Sequence, residues 1–95
     1  MVSALVVDKK DNVATALRPL EKGDSIGIEV GDSLVDIVLK QSIPFGHKLA
    51  LEDIERGERI IKYGEIIGQA TEKISKGEHV HIHNVEGLRG RGDKP

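Results

Sequence analysis

A chain of 95 residues suits one domain with a modest core, and its apolar set of mostly Ile, Val and Leu, with only Phe45 and Tyr63 as aromatics, favours strands over helices. Fourteen basic and sixteen acidic residues, mixed along the chain for a net charge of -2, leave no basic footprint for nucleic acid, and two aromatics give bases no stacking platform. Cysteine is absent, which excludes disulfides, a thiol nucleophile and thiolate metal ligands, and no apolar run approaches the roughly 20 residues of a membrane helix.

The N-terminal segment is too short for a signal peptide and lacks a basic leading region, so a cytoplasmic location is expected. Alternation and β-branching then predict strands over 4–7, 13–17, 25–30 and 34–39, with Gly31-Asp32-Ser33 as a hairpin loop. Pro44 and Gly46 break the chain. The stretches 51–56 and 71–76 are expected to be single helical turns, with Glu52, Asp53 and Glu72 near their N-terminal ends. Strands follow over 59–62 and 79–84, and Tyr63-Gly64 and Ile67-Gly68 are expected to be backbone bends. A turn pattern of apolar, any, Lys/Arg, Gly, acidic, any, apolar occurs at 20–26, 54–60 and 74–80, with glycine supplying a positive φ. Its uneven spacing excludes a solenoid. The expected whole is a small, mainly β domain over 1–86 and a flexible tail over 87–95.

His79, His81 and His83 occupy every second position of one predicted strand and so share a face. Residues two apart on a strand are separated by about 6.6 Å and residues four apart by about 13 Å. With a nitrogen about 2.1 Å from zinc, two neighbours of the trio can share an ion, and all three cannot without a sharp bend. A third ligand must then come from elsewhere, such as His47 or a carboxylate. The competing readings are a solvated strand face and one half of a site completed by another chain. Lys48 is able to bind a carboxylate or phosphate as a point charge, although surface lysines ordinarily bind nothing specific. Asp11-Asn12 suits a turn cap. Arg91-Gly92-Asp93 spells an adhesion tripeptide by chance.

Four ordered motifs carry a resemblance: Asp11-Asn12-Val13-Ala14-x-Ala16-Leu17; Gly46-His47-Lys48-x-Ala50-Leu51-x-x-Ile54; Ile61-Lys62-Tyr63-Gly64-x-x-Ile67-Gly68; and Gly77-Glu78-His79-Val80-His81-x-His83-Asn84. Together they resemble the altronate dehydratase family, and within it the SAF domain of altronate and galactarate dehydratases and the small subunit of sulfolactate sulfo-lyase. The resemblance implies a β-clip fold of short bent strands. It implies the small subunit of a sugar-acid dehydratase, inactive alone, with a large subunit completing the site. The alternatives are a non-catalytic carbohydrate-binding or assembly module and a sulfo-lyase-like small subunit. A divalent metal, iron or manganese, is expected in the assembled enzyme and none bound tightly to this chain alone. His47, Lys48, His81 and His83 are the expected catalytic residues, and Asp11, Asn12 and Asn84 the expected substrate contacts. Asp8 and His79 are the expected metal ligands, Asp8 standing where the fused dehydratases typically carry histidine. The expected ligand is a sugar-acid carboxylate, with neither nucleic acid nor membrane as partner and self-association left open.

Overall fold

The computed structural model describes residues 3–87, so most of the expected tail, the Arg91-Gly92-Asp93 tripeptide included, lies outside the described residues. The described residues are mainly β with no helix, in short antiparallel strands as expected. Among the described residues, no helix is long and apolar enough to cross a membrane.

The central sheet has the order β1-β2-β5-β8, from strands Ala4–Leu5, Val13–Ala16, Lys48–Ala50 and His79–Val80. Two further units cover it. One is the hairpin β3-β4, Ser25–Val30 and Ser33–Val38, joined by Gly31 and Asp32. The other is the sheet β6-β7-β9, Arg59–Lys62, Glu65–Ala70 and Val85–Glu86. Alternation along the central strands sends residues to opposite faces. Ala14, Ala16, Leu49 and Leu51 join one apolar cluster with Ile26, Ile28 and Ile37 of the hairpin. Val13, Ala50 and Val80 join a second with Ile60 and Ala70. Both faces of the central sheet are thus covered, which is why β2 and β5 show no apolar–polar alternation in their sequence.

The two stretches expected to be helical turns are instead bends leading into lone bridges. Leu20 pairs with Ile43, and Ile54 with Ile74, each by reciprocal backbone hydrogen bonds. Each bridging residue opens a tight turn. In three of them the glycine has a φ near 90°: Gly23 at 92°, Gly57 at 91° and Gly77 at 90°. In each, the acidic side chain after the glycine accepts the N–H three residues back: Asp24 from Glu21, Glu58 from Glu55 and Glu78 from Ser75. The repeated sequence pattern is therefore one repeated turn.

The structure adds a fourth copy. Pro44-Phe45-Gly46-His47 closes with the same backbone bond, His47 N to Pro44 O at 3.0 Å, and Gly46 has a φ of 83°. Here histidine replaces the capping acid. Proline has no N–H to be capped, so position 47 is released from a structural duty its counterparts perform.

The four turns form two equivalent units that share β5. Gly23 N donates to Leu39 O and Leu39 N to Asp24 O; Gly57 N donates to Ala70 O and Ala70 N to Glu58 O. Likewise Gly46 N donates to Ala16 O, and Gly77 N to Ala50 O. The first unit runs from β2 through a hairpin to β5, and the second from β5 through a hairpin to β8. Each hairpin is flanked by one turn on either side.

The second hairpin bends where expected at Tyr63-Gly64 and differs at Ile67-Gly68, which lies inside β7. Tyr63-Gly64 is a two-residue turn with φ of 57° and 76°, the paired positive values of a type I′ hairpin. Gly68 lies inside β7, where an added Cβ would sit 2.8 Å from Glu86 O, so glycine there admits β9. The predicted strand over 79–84 ends at Val80, and His81 to Asn84 form a turn.

Candidate functional site

The turn at 81–84 decides the geometry of the histidines. Asn84, 2% exposed, accepts the His81 N–H through Oδ1 at 3.0 Å and donates through Nδ2 to His79 O at 2.9 Å. These bonds fold the chain back so that His81 no longer extends along the strand from His79. Its ring stacks on His47 with centroids 4.1 Å apart. His79 lies opposite Leu49 in the register of β5 and β8, beside the turn that carries His47. His47 Nδ1 and His79 Nε2 are 2.9 Å apart, a hydrogen bond in which one ring donates and the other accepts. Gln41 Oε1 accepts the His79 backbone N–H at 2.8 Å and fixes the start of β8.

His47, His79 and His81 each offer a ring nitrogen, and the three nitrogens lie within 4.8 Å of one another. Ligands on one ion with bonds of about 2.1 Å are separated by roughly 3 to 3.5 Å, so small ring rotations would gather all three. Strand geometry allowed His79 and His81 as a pair; the Asn84 turn brings their rings beside that of His47, and the full trio of His79, His81 and His83 does not converge. His83 stands outside this group, exposed and tilted against His79 at 5.2 Å between centroids.

The surroundings favour the neutral form of His79 and His81. Burial, reinforced by His47, His83, His81 and Lys48, pushes His79 down to about 4. His81 is lowered by desolvation and then by His47, Lys48 and His83. Neutral imidazole is the form that binds metal. An all-imidazole set suits iron or zinc, whereas manganese prefers oxygen donors. The residues present therefore fit an iron-type ion, and a manganese ion only with oxygen ligands from another source.

Lys48 is the first residue of β5, directly after the turn that carries His47. It lines an open groove of about 220 Å³ with Ile67, His81, Ile82, Val85 and Gly87. Burial and the charge of Lys62 lower its pKa. His81 belongs to both the histidine group and the groove, so a molecule in the groove lies beside the candidate metal ligands. Ile82, 84% exposed, stands at its rim.

The other expected site residues have structural partners. Asn12 joins the central sheet to β6, donating to Arg59 O at 2.9 Å and accepting from Ile61 N at 2.8 Å. Asp11 accepts Gly64 N at 2.8 Å and Asp8 N at 3.2 Å. Asp8 accepts Lys10 N at 2.8 Å and packs against Gly64. Asp8, Asp11 and Asn12 thus form a clamp on the second hairpin, and none joins the histidine group. Gln41 and Pro44 escaped sequence reasoning. The signal for Pro44 was present: Ile43-x-x-Gly46-x-x-Leu49 fits the turn pattern once neither the basic nor the acidic residue is required.

A family model for the altronate/galactarate dehydratase SAF domain matches residues 2–88. The chain is 42% identical over 86 residues to altronate dehydratase of Bacillus subtilis (strain 168), an alignment covering 90% of this chain and 16% of that protein. It is 41% identical over 73 residues to the (2R)-sulfolactate sulfo-lyase subunit alpha of Chromohalobacter salexigens, covering 66% of this chain and 78% of that subunit. Galactarate dehydratase (L-threo-forming) of Escherichia coli (strain K12) is 39% identical over 74 residues, covering 78% of this chain and 13% of that protein. The chain therefore spans about one sixth or less of the dehydratases it matches and most of the sulfo-lyase subunit. By the family match across nearly its whole length, the chain belongs to the altronate/galactarate dehydratase SAF domain family.

Proposed function

We propose that this chain is the small subunit of a sugar-acid dehydratase and supplies one wall of a metal-dependent active site that a large subunit completes. The observation that carries the reading is the convergence of His47, His79 and His81 beside a groove containing Lys48. Membership of the family and likeness to dehydratases and to a sulfo-lyase subunit support an elimination reaction. In such a reaction a proton leaves the carbon α to a carboxylate, hydroxide leaves the β carbon, and the enol relaxes to a 2-keto-3-deoxy acid.

A divalent ion, when bound, would act as a Lewis acid on the enediolate-like charge. Lys48 binds the substrate carboxylate through Nζ, its half-buried position strengthening that contact. His47 and His79 would hold such an ion, and His81 would hold it from the groove side. His83, exposed beside His79, carries a proton to or from the substrate. Asn84 positions His81 without touching substrate.

The test is co-expression with a large dehydratase chain. Replacing His83 by alanine is expected to lower turnover per assembled complex by about 100-fold or more, with assembly intact. Loss of assembly with normal turnover in the remaining complex would show a scaffold instead. A second reading, elimination of sulfite, is favoured by the 78% coverage of the sulfo-lyase subunit. Assaying one complex against a sugar acid and against sulfolactate separates the two.

A further inference from the structure

The fourth turn departs from the pattern at two positions, and Pro44 accounts only for the departure at His47. Where the other copies carry Lys22, Arg56 and Lys76, this one carries Phe45. The three basic residues are exposed, and so is Phe45, at 66%. The same closing backbone bond forms in all four copies, so the turn itself has no use for the ring. A phenyl group thus stands in water where the fold is satisfied by a charged side chain.

Phe45 belongs to one edge of the central sheet. The end of β2, the start of β5 and the end of β8 meet there, because the three strands are antiparallel neighbours. Gly46 N donates to Ala16 O, which sets Leu17 beside the Phe45 turn. On the other side His81 stacks on His47, and Ile82 follows it in the chain. Leu17, Phe45 and Ile82 are 41%, 66% and 84% exposed. Set one residue further in are Ala16, His47 and His81, so the apolar edge borders the candidate metal ligands. Large apolar side chains exposed together mark a contact surface. Leu34 and Val38, exposed on the first hairpin, differ: Leu34 lies across Gly27, covering its own sheet, and Asp36 stands between the two in β4.

Both ends of the unit reach this edge. Ser3 O accepts Leu17 N at 2.9 Å, and Gly87 lines the groove with Ile82. The family match runs from residue 2 to residue 88. In two of the dehydratases the aligned region is 16% and 13% of the protein, so the rest of each polypeptide joins it through one end or both. Either route starts beside Leu17 or beside Ile82. We propose that Leu17, Phe45 and Ile82 form the docking edge for the large subunit, with Phe45 as the anchor seated in an apolar pocket of that chain. The contact covers the open side of His47 and His81 and keeps bulk water from their rings. This rests on the reading of the chain as a small subunit, and it is separable from the reaction that the complex catalyses.

The experiment measures the Kd between the full chain and a co-expressed large dehydratase chain, and the Tm of the full chain alone. Phe45→Lys installs the side chain that the turn carries at Lys22 and Lys76. It is expected to weaken association by about 30-fold or more and to leave the Tm unchanged. Ile82→Gln is expected to weaken association to a smaller extent, and Leu34→Gln, on the first hairpin, to leave it unchanged. Unchanged association in Phe45→Lys or Ile82→Gln, or an equal loss in Leu34→Gln, overturns the edge. A lowered Tm in Phe45→Lys also overturns it, because the ring would then be holding the turn. Self-association of the chain alone, abolished by Phe45→Lys, would assign the edge to a second copy and overturn the proposal. Failure of the unaltered chain to associate overturns both the edge and the subunit reading. Association that depends on Phe45, with no elimination activity in the complex, leaves the edge standing and removes the enzyme reading; activity in a complex indifferent to Phe45 does the reverse.

Discussion

His79 gathers the chemistry of the site into one side chain. It bonds to His47, lies 5.2 Å from His83 between centroids, and has its backbone held by Gln41 and Asn84. With a pKa of about 4 in the folded chain against 6.5 in the unfolded one, it takes up its proton more readily when the protein unfolds. Its contribution to stability is therefore unchanged above pH 6.5 and turns against the fold as pH falls from 6.5 towards 4. Urea unfolding of the metal-free chain is expected to show stability falling over that window, and His79→Gln to flatten the fall. An NMR midpoint for the His79 ring near 6.5 would contradict the burial described. The sequence made the histidines conspicuous, because three alternate in a short segment. It did not reveal which of them meet. The register of β5 against β8 and the Asn84 turn select His47, His79 and His81 and leave His83 outside. Asn84 was legible as part of the site motif but not as the residue that bends the chain, because both its partners are backbone atoms.

The tight turn is the element on which the fold is built. Three copies were readable from Leu20, Ile54 and Ile74 onward, since apolar anchors, glycine and acid recur at fixed offsets. The fourth was hidden by Phe45 and His47, which replace the basic and acidic residues of the pattern, and the strand β5 that follows it was hidden by its length of three residues. The expected helical turns at 51–56 and 71–76 failed because the bridge between Ile54 and Ile74 offers backbone partners that local periodicity cannot register. The copies are not equally tolerant. An added Cβ at Gly23 meets nothing within 4 Å, whereas at Gly77 it would lie 2.3 Å from Val38 O. Gly23→Ala should cost the left-handed penalty alone, about 1–2 kcal/mol. Gly77→Ala must in addition push β4 away from the turn, and is expected to lower the urea midpoint well beyond the Gly23 variant. Equal midpoints would show that the two turns do not carry different loads.

At the scale of the molecule, two equivalent units share β5, and the central sheet divides its side chains between two apolar clusters. Leu49 enters one and its neighbour Ala50 the other, both fully buried. Neither cluster can open without disturbing a strand that the other needs, so unfolding is expected to be a single transition. Leu49→Ala should destabilise the chain by about 2–5 kcal/mol. The loss should appear equally at methyl probes on Ile28 and Ile74, which sit in different clusters. Separate midpoints for the two probes would contradict this coupling. The four turns together also show what proline does at position 44. In the other three copies, removing the acid would leave an N–H without its side-chain partner, a loss of about 1 kcal/mol. Pro44 has no such donor, so an imidazole stands at position 47 at no cost to the turn.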